Sequence, residues 1–112
     1  MEKEKAEMEF KTLEYRFIQR FKKKPSMEGI LLLIGYQESP QLKTSQSKEE
    51  KLDLINLGLL TVLSRLGYFR RKNSDSGWPE FEPTDLQVTE AAEEKENLVK
   101  RGIVEYFRES DF

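Results

Sequence analysis

The chain contains no cysteine and no histidine. Without cysteine there is no disulfide, no iron–sulfur cluster, no thiolate zinc site and no thiol nucleophile. Without histidine it lacks the commonest general base near neutral pH and the commonest transition-metal ligand. A metal would have to be held by oxygen ligands alone, and no cofactor is expected. Long apolar runs are missing too. The longest strictly apolar stretch is Ile30 to Ile34, far short of the ~20 residues that a membrane span requires. Charges are spread throughout Met1 to Phe21, without the apolar core of about 7–15 residues that a signal peptide needs. The expectation is a cytoplasmic protein with no membrane partner. A Gly-rich phosphate loop is absent as well, because Gly58 and Gly67 stand alone without a following Lys-Ser/Thr pair. Asp75-Ser76-Gly77 lacks the alternating acids and the terminal Glu of a calcium loop.

What is present suits one small domain spanning residues 1–112. The composition is 37% hydrophobic and 36% charged, more charged than an average globular domain. The apolar residues are clustered, which argues for a packed core and against disorder. Net charge is −2, unevenly placed. Residues 1–25 carry eight Lys/Arg and five Glu, and residues 80–112 carry four Lys/Arg and ten Asp/Glu. The two ends could attract one another within the fold or in a dimer, or they could simply be solvated faces of different sign.

Helical signals dominate. Phe10, Leu13, Phe17 and Phe21 fall on one stripe of a helix expected over residues 4–23. Glu7 and Lys11 stand four apart in the favourable order. Pro25 ends this helix by pushing Lys24 out of the helical region. Ser26 is a good N-cap for a second helix over residues 27–37. Its run Ile30-Leu31-Leu32-Leu33-Ile34 has no period, which predicts burial on all sides. A buried strand competes, but the Pro-Ser start, the leucines and the length favour helix.

Ser47 with Glu50 forms a capping box opening a helix over residues 48–66. Leu52, Ile55, Leu59, Val62, Leu63 and Leu66 are expected on one face, with Leu54, Leu57 and Leu60 covering much of the rest. That pattern predicts a central helix, stopped at Gly67. Asn56 projects between the two apolar arcs and needs a partner if buried. Residues 68–83 read as a short hairpin or ordered loop, whose Pro79 and Pro83 exclude a central strand. A last helix is expected to begin near Thr89, with Glu90, Glu93 and Glu94 at its positive end. Its buried face would be Leu98, Val99, Gly102, Ile103 and Tyr106, with Leu86 and Val88 pinning the approach. The expected fold is therefore all-α: a compact four-helix domain with a short β-hairpin or ordered loop between helices 3 and 4.

Chemistry is harder to find. The acidic groups Glu49/Glu50 with Asp53, and Glu90 with Glu93 and Glu94, sit where exposed acids cap helices, and paired carboxylates catalyse only when burial drives their pKa values apart. An enzyme is not expected. Two basic clusters, residues 16–24 and residues 70–72 beside Tyr68 and Phe69, raise nucleic-acid association as the alternative function, although the whole chain is acidic. The favoured expectation is a non-enzymatic protein-interaction or accessory subunit, acting on a protein partner or as a homodimer. Tyr68, Arg70, Arg71 and Trp78 are the candidate contact residues, because Trp, Tyr and Arg dominate interface energetics and recognition is commonly carried on loops.

In the segments Lys23-Lys24-Pro25, Ser47-Lys48-Glu49-Glu50-Lys51 and Gly77-Trp78-Pro79, the chain resembles an uncharacterised group of short bacterial all-α proteins. The resemblance covers residues 16–108. It implies a bacterial source and a helical fold, and it carries no activity, ligand or site residues with it.

Overall fold

The structure, a computed structural model, describes residues 2–39, 47–72, 78–86 and 92–108, with the backbone alone for residues 2, 3, 6 and 92–94. Helix α1 spans Glu2–Phe21, α2 Met27–Glu38, α3 Lys48–Arg65 and α4 Ala92–Arg108. Strands β1, Phe69–Lys72, and β2, Glu80–Pro83, form an antiparallel hairpin between α3 and α4. The four helices, of 20, 12, 18 and 17 residues, take more than half the chain.

Local chemistry sets the helix ends. The Ser26 hydroxyl accepts from the Gly29 N–H at 3.0 Å, closing the N-terminus of α2. Ser47 and Glu50 form the complete reciprocal box at the start of α3. At the far end of α3, Gly67 takes φ +91°, and the N–H groups of Gly67 and Tyr68 donate to the carbonyls of Ser64 and Leu63 at 3.1 Å. This is a Schellman closure, which needs a left-handed residue that glycine supplies without strain. Helix α1 ends differently: Lys22, at φ 62°, donates its N–H to the Ile18 carbonyl at 2.8 Å.

The pairing of α2 with α3 is the tightest in the molecule, and two glycines explain it. A Cβ on Gly35 would lie 1.9 Å from the Leu54 carbonyl oxygen, and one on Gly58 would lie 2.1 Å from that of Leu31. The two helices therefore run antiparallel with their backbones in contact. Gly102 of α4 does the same against α3, where a Cβ would meet the Val62 carbonyl oxygen at 2.7 Å. Around these contacts Phe10, Leu13 and Phe17 of α1, Ile30, Leu31 and Ile34 of α2, Val62 of α3, and Ile103, Val104, Tyr106 and Phe107 of α4 form one core. Phe17 meets Phe107 edge-on at 5.6 Å between ring centroids. Helix α3 touches α2, α4 and β1, the central position that its broad apolar surface predicts. Helix α1 packs chiefly on α4.

The residues 30–34 run is helical, and strand is confined to the residues 68–83 segment among the described residues. Four finer expectations are corrected. Leu32 and Leu33 are only half-buried, because α2 is covered by α3 on one side and left open on another. On α3, Leu54, Leu57, Gly58, Thr61 and Val62 are buried while Leu52 and Asn56 are exposed; the row containing Gly58 wins because only it lets α2 approach. Phe21 continues the α1 stripe but lies at the helix end outside the core, 52% exposed and stacked on Phe17 at 5.9 Å. Val104 and Phe107 join the expected α4 face. Leu86 is exposed, though it lies over Gly67. The expected helix start near Thr89, with Glu90 and Val88, lies outside the described residues.

Candidate functional site

The hairpin residues separate into two faces through the strand alternation. Cross-strand partners are Phe69 with Pro83, Arg70 with Glu82, Arg71 with Phe81, and Lys72 with Glu80. On one face Arg70 Nε donates to Glu82 Oε1 at 2.7 Å, and Lys72 Nζ lies 3.8 Å from Glu80. On the other face Arg71 reaches the Glu38 carboxylate at the C-terminus of α2, 4.0 Å away, beside half-buried Phe69 and Phe81. Thr84 ties the hairpin base to α3, its N–H donating to the Tyr68 carbonyl at 3.1 Å and its hydroxyl to that of Gly67 at 2.6 Å. Tyr68 is half-buried, and Trp78 is 36% exposed. The fold thus brings Tyr68, Arg70, Arg71 and Trp78 onto one small excursion, but each arginine already faces a carboxylate of its own chain. Such exposed pairs are individually weak, worth about 0–1 kcal/mol, yet they balance the charge of the residues 70–72 cluster.

Among the described residues, the lysines of the other basic cluster have no such balance. Lys22, Lys23 and Lys24 are exposed in the turn after α1. Of these, Lys23 borders an open groove of about 540 Å³ between the C-terminal end of α1 and the uncovered side of α2. Its walls are mainly Phe17, Phe21, Pro25, Leu32, Leu33 and Tyr36; Lys23 stands at the rim, and among the described residues no carboxylate lines it. The N-cap Ser26 and Gly29, in the first turn of α2, also line it, so the positive end of that helix dipole lies beside the groove. Sequence reasoning missed this groove. The signal available was the aperiodic apolar run of residues 30–34, which exposes apolar surface unless every side of α2 is covered.

A second cleft, of about 370 Å³, lies between α1, the end of α3, and α4, and is lined by Lys5, Glu9, Arg65, Arg101, Glu105 and Arg108 among others. Arg108 pairs there with Glu9 and, at 2.9 Å, with Glu105, which together hold its guanidinium pKa above the ordinary value. Beneath it the Arg65 guanidinium sits over the Tyr106 ring, 5.4 Å from its centroid. The buried Tyr106 hydroxyl donates to Gln37 Oε1 at 3.0 Å. Burial, and then the neighbouring Glu38 carboxylate, push its pKa up to about 12 against an opposing pull from Arg65. Tyr106 thereby joins α4 to the end of α2, where Glu38 also receives Arg71.

Of the acidic residues considered for chemistry, Glu49 and Glu50 fall in the first turn of α3 and Asp53 one turn further on. Glu50 closes the α3 box, while Glu49 and Asp53 are exposed. Glu93 and Glu94 fall in the first turn of α4, and Glu90 lies outside the described residues. Among the described residues no three acidic side chains converge as a cation site, and no helix is long and apolar enough to cross a membrane. No protein-family model, curated protein or solved structure matches the chain.

Proposed function

We propose that the chain is a non-catalytic interaction subunit that grips an acidic amphipathic helix of a protein partner in the groove between α1 and α2. One observation carries the reading: an apolar groove of about 540 Å³ with a lysine at its rim and no acid among its described lining residues. Helix-in-groove recognition places apolar side chains at i, i+4 and i+7 into such a channel. Lys23, Lys24 and the α2 N-terminus favour carboxylates flanking those anchors and disfavour a basic partner. The hairpin supports this reading less, since Arg70 and Arg71 are matched by Glu82 and Glu38. The same matching removes support from a nucleic-acid role for the residues 70–72 cluster.

The test is a titration of the full chain with a synthetic helical peptide bearing Leu at i, i+4 and i+7 and Glu elsewhere, followed by NMR. Saturable shifts at Leu32, Leu33 and Tyr36 that weaken with salt and with Lys23→Glu/Lys24→Glu are expected. Shifts confined to the hairpin, equal binding of a peptide with Lys in place of Glu, or no saturable shift would overturn the proposal.

A further inference from the structure

Helix α1 has a second face that the fold leaves uncovered. Its core stripe, Phe10, Leu13 and Phe17, is spent on the interior. Turned away from that stripe are Met8, Tyr15 and Ile18, which are 70%, 60% and 38% exposed. Isolated apolar residues on a surface need no explanation, but these three are ordered. With Glu4, Lys11 and Lys22, all exposed, they make the series Glu4, Met8, Lys11, Tyr15, Ile18, Lys22. The steps are four, three, four, three and four, so Glu4, Met8, Lys11, Tyr15 and Ile18 lie along one stripe of α1, and Lys22 stands one step further on, just past the last helical residue. This is the seam spacing of paired helices.

The series also reads the same from either end. Antiparallel pairing about a two-fold axis at the level of residue 13 sets Met8 against Ile18 of the second copy and Lys11 against Tyr15 of the second copy. The same register sets Glu4 against Lys22 of the second copy. An apolar pair, a cation over an aromatic ring and an opposite-charge pair each occur twice by symmetry. Parallel pairing would instead stack Glu4 on Glu4 and Lys11 on Lys11. Within α1 the two halves differ in the same sense, since residues 12–21 hold Arg16 and Arg20 against Glu14 alone, while residues 2–11 hold four Glu against three Lys.

We infer that the chain self-associates through this face of α1, as an antiparallel α1–α1 dimer. Helix α1 is ~30 Å long at 1.5 Å per residue, and one helix pair buries less than a standard interface. The dimer is accordingly concentration-dependent. The inference is independent of the groove, which lies on another side of α1, and a dimer would carry two grooves.

Sedimentation equilibrium of the full chain across the micromolar range tests it, with far-UV circular dichroism confirming that each variant is folded. The native chain should show reversible dimerisation, and Ile18→Lys should weaken it at least tenfold. Glu4→Lys and Lys22→Glu should each weaken it alone. An equimolar mixture of those two variants should recover it, because each copy then sets Lys against Glu at both contacts. Since the chain has no cysteine, Met8→Cys/Ile18→Cys should oxidise to a covalent dimer. Met8→Cys alone should not, because antiparallel pairing holds the two sites about 15 Å apart along the axis. A native chain that stays monomeric throughout, a dimer indifferent to Ile18→Lys, no recovery in the mixture, or ready cross-linking of Met8→Cys alone would overturn the inference.

Discussion

Replacing Gly58 by alanine tests how closely α2 and α3 are packed. The added methyl would lie 2.1 Å from the Leu31 carbonyl oxygen and 2.9 Å from its carbon. Both atoms are main chain, so no side-chain rotation relieves them, and the helices must separate by about 1 Å. A gap of that size forfeits roughly a quarter to a half of each dispersion contact along the seam. Overpacking commonly costs about 1–3 kcal/mol and sometimes more, while removing a mid-helix glycine returns about 1 kcal/mol. The upper end of the cost applies to a main-chain clash, leaving a net loss of about 2 kcal/mol. At about 4 °C per kcal/mol for a domain of this length, Tm should fall by about 8 °C. Gly35→Ala should behave alike, and the double variant should cost less than the sum, because one separation relieves both clashes. Urea unfolding followed by circular dichroism measures this against Gly29→Ala. There the methyl meets only the Ser26 hydroxyl at 3.2 Å, and stability should hold or rise slightly. A Gly58→Ala chain as stable as the native one would refute the close-packing argument.

Leu57→Ala and Ile103→Ala, at 2% and 0% exposure, should each cost about 2–5 kcal/mol, whereas Leu52→Ala on the same helix as Leu57 should change stability by less than about 0.5 kcal/mol; urea midpoints at constant m report both. Ser47→Ala should cost about 1 kcal/mol by opening the α3 capping box, and a chevron or equilibrium melt showing no loss would disprove the cap's contribution. Tyr106 should keep its proton to about pH 12 in the fold, against an ordinary value of 10.0. Above pH ~10 the unfolded chain releases this proton first, so the folded state binds more protons and stability falls as pH rises toward 12. Tyr106→Phe should remove that part of the alkaline loss, and phenolate absorbance titrating with no late component would contradict the burial of this hydroxyl.

Much of the fold is legible in the order of residues because its determinants are local. Ser26, Ser47 with Glu50, and Gly67 act within a few residues of themselves, so the boundaries they govern are readable without a neighbour, whereas α1 ends at Phe21 on the left-handed Lys22, two residues short of the end expected from Pro25. The stripe of Phe10, Leu13 and Phe17 is likewise an expression of helical period. The hairpin is legible from Pro79, Pro83 and the turn-rich segment between its arms, although not the pairing of Arg70 with Glu82 or of Lys72 with Glu80, which depends on register.

The proposed groove could not be read in this way. Whether Leu32, Leu33 and Phe21 are core or surface depends on which sides of α2 and α1 other helices cover, and that is a property of packing across the whole chain. Gly35, Gly58 and Gly102 decide it: each removes a Cβ at a crossing, and together they draw α2, α3 and α4 into contact while leaving one flank of α2 open. The sequence by itself determined the four helices, the start of α2, both ends of α3 and part of the core. Only the tertiary structure decided which apolar residues were left over, because local period says which residues share a face but not whether another element arrives to cover it.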